Sequence, residues 1–535
     1  MNQTQICYIL VMKNKHLLSF FLCGICIFTS CDSFLSKSKL VIANGNTEPH
    51  INPVNIQNEA DRRIYPALFE GLVNYDAKAD KILPGLAESW EYSKDFRSVT
   101  FHIRNTQWSD GTRITAQSVV NSWKYLLKPE NETPYTYMLT ELIKGALPLH
   151  QSRTFFEELG IKAVNESTLK ITFNRPDPNA VDRMAHFAFA VLPVHRILEL
   201  GDDWCKPENI VTNGPFKVKS LSPDGKLTLE KNPDYWNKDN IFISKLIFVK
   251  AETNQNLYED YRSGKIDWIA DIPGETIGIF DTNSDFTKEI DPCSQYYYIN
   301  TSHPLLNDEK VRKALIYAIN REDLAKTVFN SSAVSAKSVV PVTSSSKTDT
   351  LYDVTKAQAL LKEAGYANGK NFPNISVYIN TTNSANKKVA EFVVNEWKKN
   401  LGITVLIQEE ADWNTFLAAR QGGGFDIARG GWKSEACDAA SFLEQLVSTD
   451  GNNDGKYADD KFDSLLRKVA LLPEDSQRNE ILTEAETIAV EQAGALIPLY
   501  HTVHYNLFNS TKWEGWEENM LNVHTFTGIH KKVEN

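Results

Sequence analysis

Helical periodicity that gives way, repeatedly, to short apolar runs is what most restricts the folds open to this chain. Val389–Leu401 spaces its apolar side chains as a helix does. Gly402 then stands where a left-handed residue ends a helix, and Ile403–Ile407 follows as a buried strand. Asn307–Leu324 reads as a second helix, with acids in its first turn. Val311, Leu315, Ala318 and Ile319 form its apolar stripe, and Arg312 and Lys313 lie off it. Nearer the N-terminus, Leu40–Ala43 is a short apolar strand, Arg62–Gly71 looks helical, and Val99–Ile103 alternates as a half-buried strand. Ser109–Thr112 is a turn, after which Thr115 is placed to N-cap the helix carrying Val119, Val120, Trp123 and Leu126. Helix followed by strand, many times over, predicts an α/β fold. At 535 residues there is room for two or three domains with large cores.

The first thirty residues read as a leader. Met12–His16 is basic, and Leu17–Phe28 is apolar but too short to span a membrane as a mature helix. Phe28-Thr29-Ser30 places small residues before a cut at Cys31. This end resembles a bacterial lipobox with Cys31 as the lipidated residue. The alternative is a plain secretory signal in which Cys31 is incidental. Either way the protein is expected in the cell envelope, outside the cytoplasm, and with Cys31 acylated it is membrane-anchored. The formal charge is −11, and the leader would take two lysines with it. So acidic a chain does not seek nucleic acid or anionic lipid through its overall field. Only Cys205, Cys293 and Cys437 lie in the body, without C-x-x-C spacing, so neither a zinc site nor a disulfide framework is indicated. One disulfide between two of the three stays open after export. Asp450–Gly455 matches the first half of an EF-hand loop, but Lys461 stands where a bidentate glutamate belongs, which reads as a solvated loop. No metal and no cofactor are expected.

Asp412–Phe442 is the richest stretch. It gathers Arg420 and Arg429, Trp413 and Trp432, and Glu435 and Asp438 around a glycine-rich turn and a short strand, Phe425–Ala428. Gly430 and Gly431 are expected to open the strand's exit so that a ligand's backbone can approach closely. Positive charge a few residues from negative charge, with aromatic walls between, suits both ends of a zwitterion such as a peptide.

Ordered motifs elsewhere make a resemblance specific. Ala87-Glu88-Ser89-Trp90, Thr100–Arg104, Trp108–Thr112 and Thr115-Ala116 are similar to the signature of the oligopeptide/dipeptide-binding proteins that serve peptide ABC transporters. Asn209–Phe216, Lys231–Trp236, Tyr261–Asp267, Asn307–Leu324, Ala359–Tyr366 and Trp397–Val405 follow in the same order. The resemblance covers residues 40–530. It implies a bilobed periplasmic-binding-protein clamshell, α/β throughout, with an additional inserted domain. One lobe would be discontinuous (31–70, 195–292 and 506–535), the inserted domain would span 71–194, and the other lobe 293–505. Chain crossings near Pro292 and Tyr505 would form the hinge.

For the site, the resemblance implies that an acid six residues after the second arginine clamps the ligand's ammonium group. The family's aspartate is Glu435 here, with Asp438 as its rival. Arg429 becomes the partner for the carboxylate of a short peptide, since a guanidinium fork matches a carboxylate. Arg420 is the first arginine of the pair, and Trp413 and Trp432 are the aromatic walls. Asn386 stands where the family has a histidine, and Lys433 stands where some relatives have the disulfide partner of Cys293. The function implied is a monomeric, lipid-anchored peptide receptor that delivers to an ABC permease. A murein-derived tripeptide, with its extra carboxylate, is the alternative ligand. A secreted peptide hydrolase would need a nucleophile–base pair or a metal motif, and the sequence offers neither.

Overall fold

The computed structural model describes residues 38–76, 81–251, 254–272, 274–341, 351–436 and 438–533. The leader with Cys31, and Cys437, lie outside them. Eleven strands form one sheet through the molecule. Its order is Phe216–Leu221, Leu227–Lys231, Lys245–Val249, Lys39–Asn44, Trp268–Ala270, Leu496–Phe508, Phe286–Ile299, Ile427–Lys433, Ile375–Asn380 and Val405–Glu410. The short Val334–Ser335 pairs with Leu496–Phe508 off that path. Near each end a strand lies parallel to both neighbours: Lys39–Asn44 in one half, Ile375–Asn380 in the other. Parallel pairs need a covering connection. For Ile375–Asn380 and Val405–Glu410 that is the helix Ser384–Leu401, ended by Gly402 at φ +72°.

The two halves are joined by strands of unusual length. Phe286–Ile299 has 14 residues and its antiparallel partner Leu496–Phe508 has 13, against about 5–6 in an ordinary strand. Their register slips at one place: Ile290 opposes Val503, but Ser294 already opposes His501. Asp291, Pro292 and Cys293 therefore face Thr502 alone, a bulge that holds a proline without breaking the sheet.

Cores follow the alternation of these strands. Tyr297 and Ile299 pack with Val311, Leu315, Val393 and Trp397 on one face of the second half. Tyr296 and Tyr298 pack with Phe442, Phe462 and Leu482 on the other. The first half shares a continuous core with an antiparallel sheet ordered Ala87–Tyr92, Ser98–Ile103, Thr168–Thr172 and Ile161–Ala163. Thr115 caps the helix Ala116–Leu126 in a reciprocal box with Ser118.

Two local expectations need correction. Asn307–Leu324 is not one helix but two segments of it, Glu309–Tyr317 and the start of Arg321–Phe329. Asn320 accepts from the Asp323 amide and starts the second helix, and the Arg321 guanidinium fixes the break by donating to the carbonyls of Ile316, Ile319, Leu351 and Pro498. The strand expected at Phe425–Ala428 runs instead over Ile427–Lys433, straight through both glycines. The room they leave is taken by this chain's own side chains. A Cβ on Gly430 would meet the Tyr296 and Tyr298 rings at 2.7 and 2.8 Å, and one on Gly431 the Gln295 amide at 2.8 Å.

Candidate functional site

Three parts of the chain converge where the strand Ile427–Lys433 ends. Ser434 donates its amide to the Pro292 carbonyl at 2.8 Å, which turns the chain at the hinge and sends Glu435 into the gap between the halves. The helix Glu59–Leu68, capped by Asn58, brings Arg62 to it from the first half. The turn Phe187–Phe189 brings His186. Arg62 reaches Glu435 Oε2 at 3.0 Å, and His186 Nε2 lies 3.2 Å from the same oxygen. His186 Nδ1 accepts the Ala188 amide at 3.1 Å. That contact places the proton on Nε2, so a neutral imidazole donates to Glu435. Burial, foremost, holds the His186 pKa below its ordinary value, which suits this role. Burial pushes the Glu435 carboxyl up, but the His186 hydrogen bond and the Arg62 charge outweigh it and hold the pKa at about 2. Alongside, Lys433 reaches Glu59 at 2.7 Å from the opposite half.

Glu435 opens onto a cavity of about 800 Å³. The first half lines it with Arg62, Tyr65, Phe69 and Glu70, the segment 178–187 with Asp182 and His186, and the second half with Glu435 and Glu474. Glu70 is buried and holds Tyr235, Trp236 and Asn74 at 2.6–2.7 Å.

The other residues singled out in the sequence fall in separate places. Arg429 lies on the strand face opposite Trp432. It pairs with Gln295 Oε1 at 2.8 Å and comes within 3.5 Å of Asn380 Oδ1. Beside it is a small void bounded by Asn386, Gly430, Leu499 and Tyr500. Asn386 donates to the Asn380 carbonyl at 3.1 Å. Gly431 sits opposite Gln295 in the ladder. Arg420 is held by Asp454 at 2.6 Å and stacks over Tyr298 and Phe416. It thus occupies a carboxylate of the loop that resembled half an EF-hand. Asp438 caps the helix Ala439–Glu444 and holds Arg478 at 2.8 and 2.9 Å. Trp413 begins the helix Trp413–Gln421 with its side chain largely in solvent. Trp432 packs against the core beyond, its indole N–H buried without a partner among the described residues. Cys293 faces Lys433 across the ladder, and among the described residues Cys205 and Cys293 are free thiols.

Sequence reasoning missed Arg62 and His186. Neither carries a motif, and His186 lies 249 residues from its partner.

Two lobes joined by a pair of long strands, with a charged cavity at their junction, define a binding protein of the clamshell class. The pattern of the bacterial extracellular solute-binding proteins, family 5 Middle, matches residues 81–454, and the chain belongs to that family. It is 32% identical over 492 residues to the periplasmic oligopeptide-binding protein OppA of Salmonella typhimurium, 88% of each chain being covered. Among solved structures it resembles OppAIV, a periplasmic oligopeptide-binding protein of Borrelia burgdorferi, with TM-score 0.69 and 33% identity over 93% of this chain and all of that one. Against the unliganded open form of the murein tripeptide binding protein MppA the TM-score rises to 0.83, though identity falls to 28%, over 92% and 97% of the two chains. The superposition on that open form is thus the better of the two, at the lower identity. No helix of the described residues is long and apolar enough to cross a membrane.

Proposed function

We propose that this chain is the capture component of a peptide importer. It takes short peptides into the cleft between its lobes, outside the cytoplasm, and passes them to the permease of an ABC transporter. The relatives named for oligopeptide binding support this. The observation that carries it is the pair of fixed opposite charges along one stretch of backbone. Arg429 is a buried guanidinium with which no carboxylate pairs among the described residues, and Glu435 lies six residues on, at the cavity. The strand carrying Arg429 ends at Lys433 and the chain turns before Glu435, so the two charges stand at separate points, as a ligand with a carboxylate at one end and an ammonium at the other requires. Clamping both ends while the middle bonds through its main chain gives affinity without reading the side chains.

In this reading the lobes comprise 31–70, 195–292 and 506–535 on one side and 293–505 on the other, with 71–194 inserted, and they close about the crossings near Pro292 and Tyr505. The protein works as a monomer, releases its ligand intact, and is tethered through lipid on Cys31. Native mass spectrometry of freshly isolated protein should show a bound mass in the range of short peptides, and labelled peptides incubated with it should come back uncut. Cleavage products would replace the receptor by a hydrolase. Cys31→Ser should leave the protein in the soluble fraction, because stable anchoring takes more than one acyl chain and all of them depend on that cysteine. Continued sedimentation with membranes would rule out the anchor.

A further inference from the structure

The peptide reading leaves open which side chains the cleft prefers, and the charge of its lining bears on that. Five carboxylates face the cavity (Glu70, Asp182, Glu289, Glu435 and Glu474) against Arg62 and Lys81. Arg62 is committed to Glu59 and Glu435, and since Glu435 is itself among the five, that pairing leaves the excess of acids in the lining unchanged. Most cations near the opposite wall are committed too. Arg183 turns from the cavity to Asp177, and Arg478 grips both oxygens of Asp438.

Asp182 differs from its neighbours. Among the described residues its half-buried carboxylate has no hydrogen bond and no ion pair. Glu70 and Glu435, by contrast, hold partners of this chain. Glu474 stands across the gap, and its position is fixed: Asn179 accepts the Glu474 amide at 3.0 Å and donates to the Leu472 carbonyl at 3.1 Å. These two bonds tie the segment before Asp182 to the segment carrying Glu474. The two segments are thereby fixed on either side of this corner. An uncompensated carboxylate in a part-buried cavity is costly unless a cation arrives.

We propose that this corner, between Asp182 and Glu474, receives a cationic side chain of the ligand, so that the cleft takes lysine- or arginine-bearing peptides in preference to acidic ones. The proposal rests on the peptide reading above and narrows it. It also counts against a murein-derived tripeptide, whose extra carboxylate would meet this lining. Burial, and then the charges of Glu474 and Asp438 against that of Arg478, lift the Asp182 pKa to about 6. The preference is thus present at neutral pH and fades on acidification.

The test is calorimetric titration of the full-length protein, stripped of ligand, at pH 7.5 and 5.5. The probes are tri-alanine, alanyl-lysyl-alanine, lysyl-alanyl-alanine, alanyl-glutamyl-alanine and the murein tripeptide. At pH 7.5 at least one lysyl peptide should bind about tenfold or more tighter than the glutamyl peptide, the scale of one charged hydrogen bond. The gap should narrow at pH 5.5 and in Asp182→Asn, through weaker binding of the lysyl peptide. Glu474→Gln should narrow it independently. Tri-alanine binding with equal affinity for lysyl and glutamyl peptides overturns the inference and leaves the peptide reading standing. Failure of every peptide to bind sinks both. Murein tripeptide binding tighter than the lysyl peptides overturns the inference in favour of an anionic ligand.

Discussion

Glu435 carries more of the site than any other side chain, and its environment says how it works. The carboxylate takes Arg62 and His186 on one oxygen, Oε2. Without ligand, the acid is thus held by groups from outside its own lobe. A peptide ammonium adds to that cluster or displaces Arg62 from it. Glu435→Gln should weaken peptides with a free amine by about tenfold or more and N-acetylated peptides far less. Equal losses for both would remove the clamp. Arg429→Ala should cost tripeptides most, and an unchanged tripeptide affinity would deny it the carboxylate. Glu435 also leaves a mark on stability. Its folded pKa of about 2 lies below the ordinary glutamate value of 4.5, so its contribution is complete above about pH 4.5 and is lost as pH falls towards 2. Wild type should therefore lose stability over that acid window more steeply than Glu435→Gln, as followed by denaturant midpoint. Residue types and spacing single out Arg429 and Glu435 as candidates in the sequence, because both sit in one motif. Arg62 and His186 could not be read there, since only the fold brings them to Glu435. Nor could the sequence tell that Gly430 and Gly431 make room for tyrosine rings and Gln295 and not for a ligand.

At the scale of elements, the two long strands join the two halves, and the bulge at Asp291–Cys293 is their least regular point. His504, on the partner strand, reaches Asp291 at 2.7 Å through Nδ1 and Glu518 at 3.0 Å through Nε2. Burial opposes its charge, but hydrogen bonds to both carboxylates outweigh burial and lift its pKa to about 9. The imidazolium ties the bulge to the C-terminal tail. Because the folded pKa is raised, this contribution is complete below the ordinary histidine value and is lost as pH rises through about 9. The melting temperature of wild type should therefore fall more between pH 7 and pH 10 than that of His504→Gln, and parallel profiles would show that His504 does not bridge the two acids. The hinge was placed from a resemblance and its bulge was not legible, because a register shift depends on both strands. The Gly402 stop and the Thr115 cap were legible, since each is a local backbone requirement met by one residue. The break at Asn320 carried a similar local signal, an asparagine before Glu322 and Asp323, but the apolar stripe running through it masked that signal.

For the molecule as a whole, the balance of contacts across the cleft decides whether it closes. Without ligand the lobes are linked by the Lys433–Glu59 and Arg62–Glu435 pairs and by the two Asn179 bonds. A part-exposed ion pair such as Lys433–Glu59 stabilises by only about 0–1 kcal/mol, and the hinge is two strands wide. Such links fix a resting arrangement without locking it, in keeping with the better superposition on an open form. A peptide held by Arg429 and Glu435 of the second lobe and lying against the first half's lining of the cavity (Arg62, Tyr65, Phe69, Glu70) would touch both lobes, and its differential affinity would then favour the closed arrangement. Small-angle scattering should then show the radius of gyration falling when saturating lysyl tripeptide is added. Ligand present at about a thousand times its dissociation constant should add about 4 kcal/mol to stability, read as a higher melting temperature. Asn179→Ala, which frees the segment carrying Glu474, should enlarge the ligand-free radius and speed ligand release more than it slows capture, because closure-dependent contacts act mainly on dissociation. A radius unchanged by ligand, together with a raised melting temperature, would mean binding without closure and would confine recognition to the second lobe.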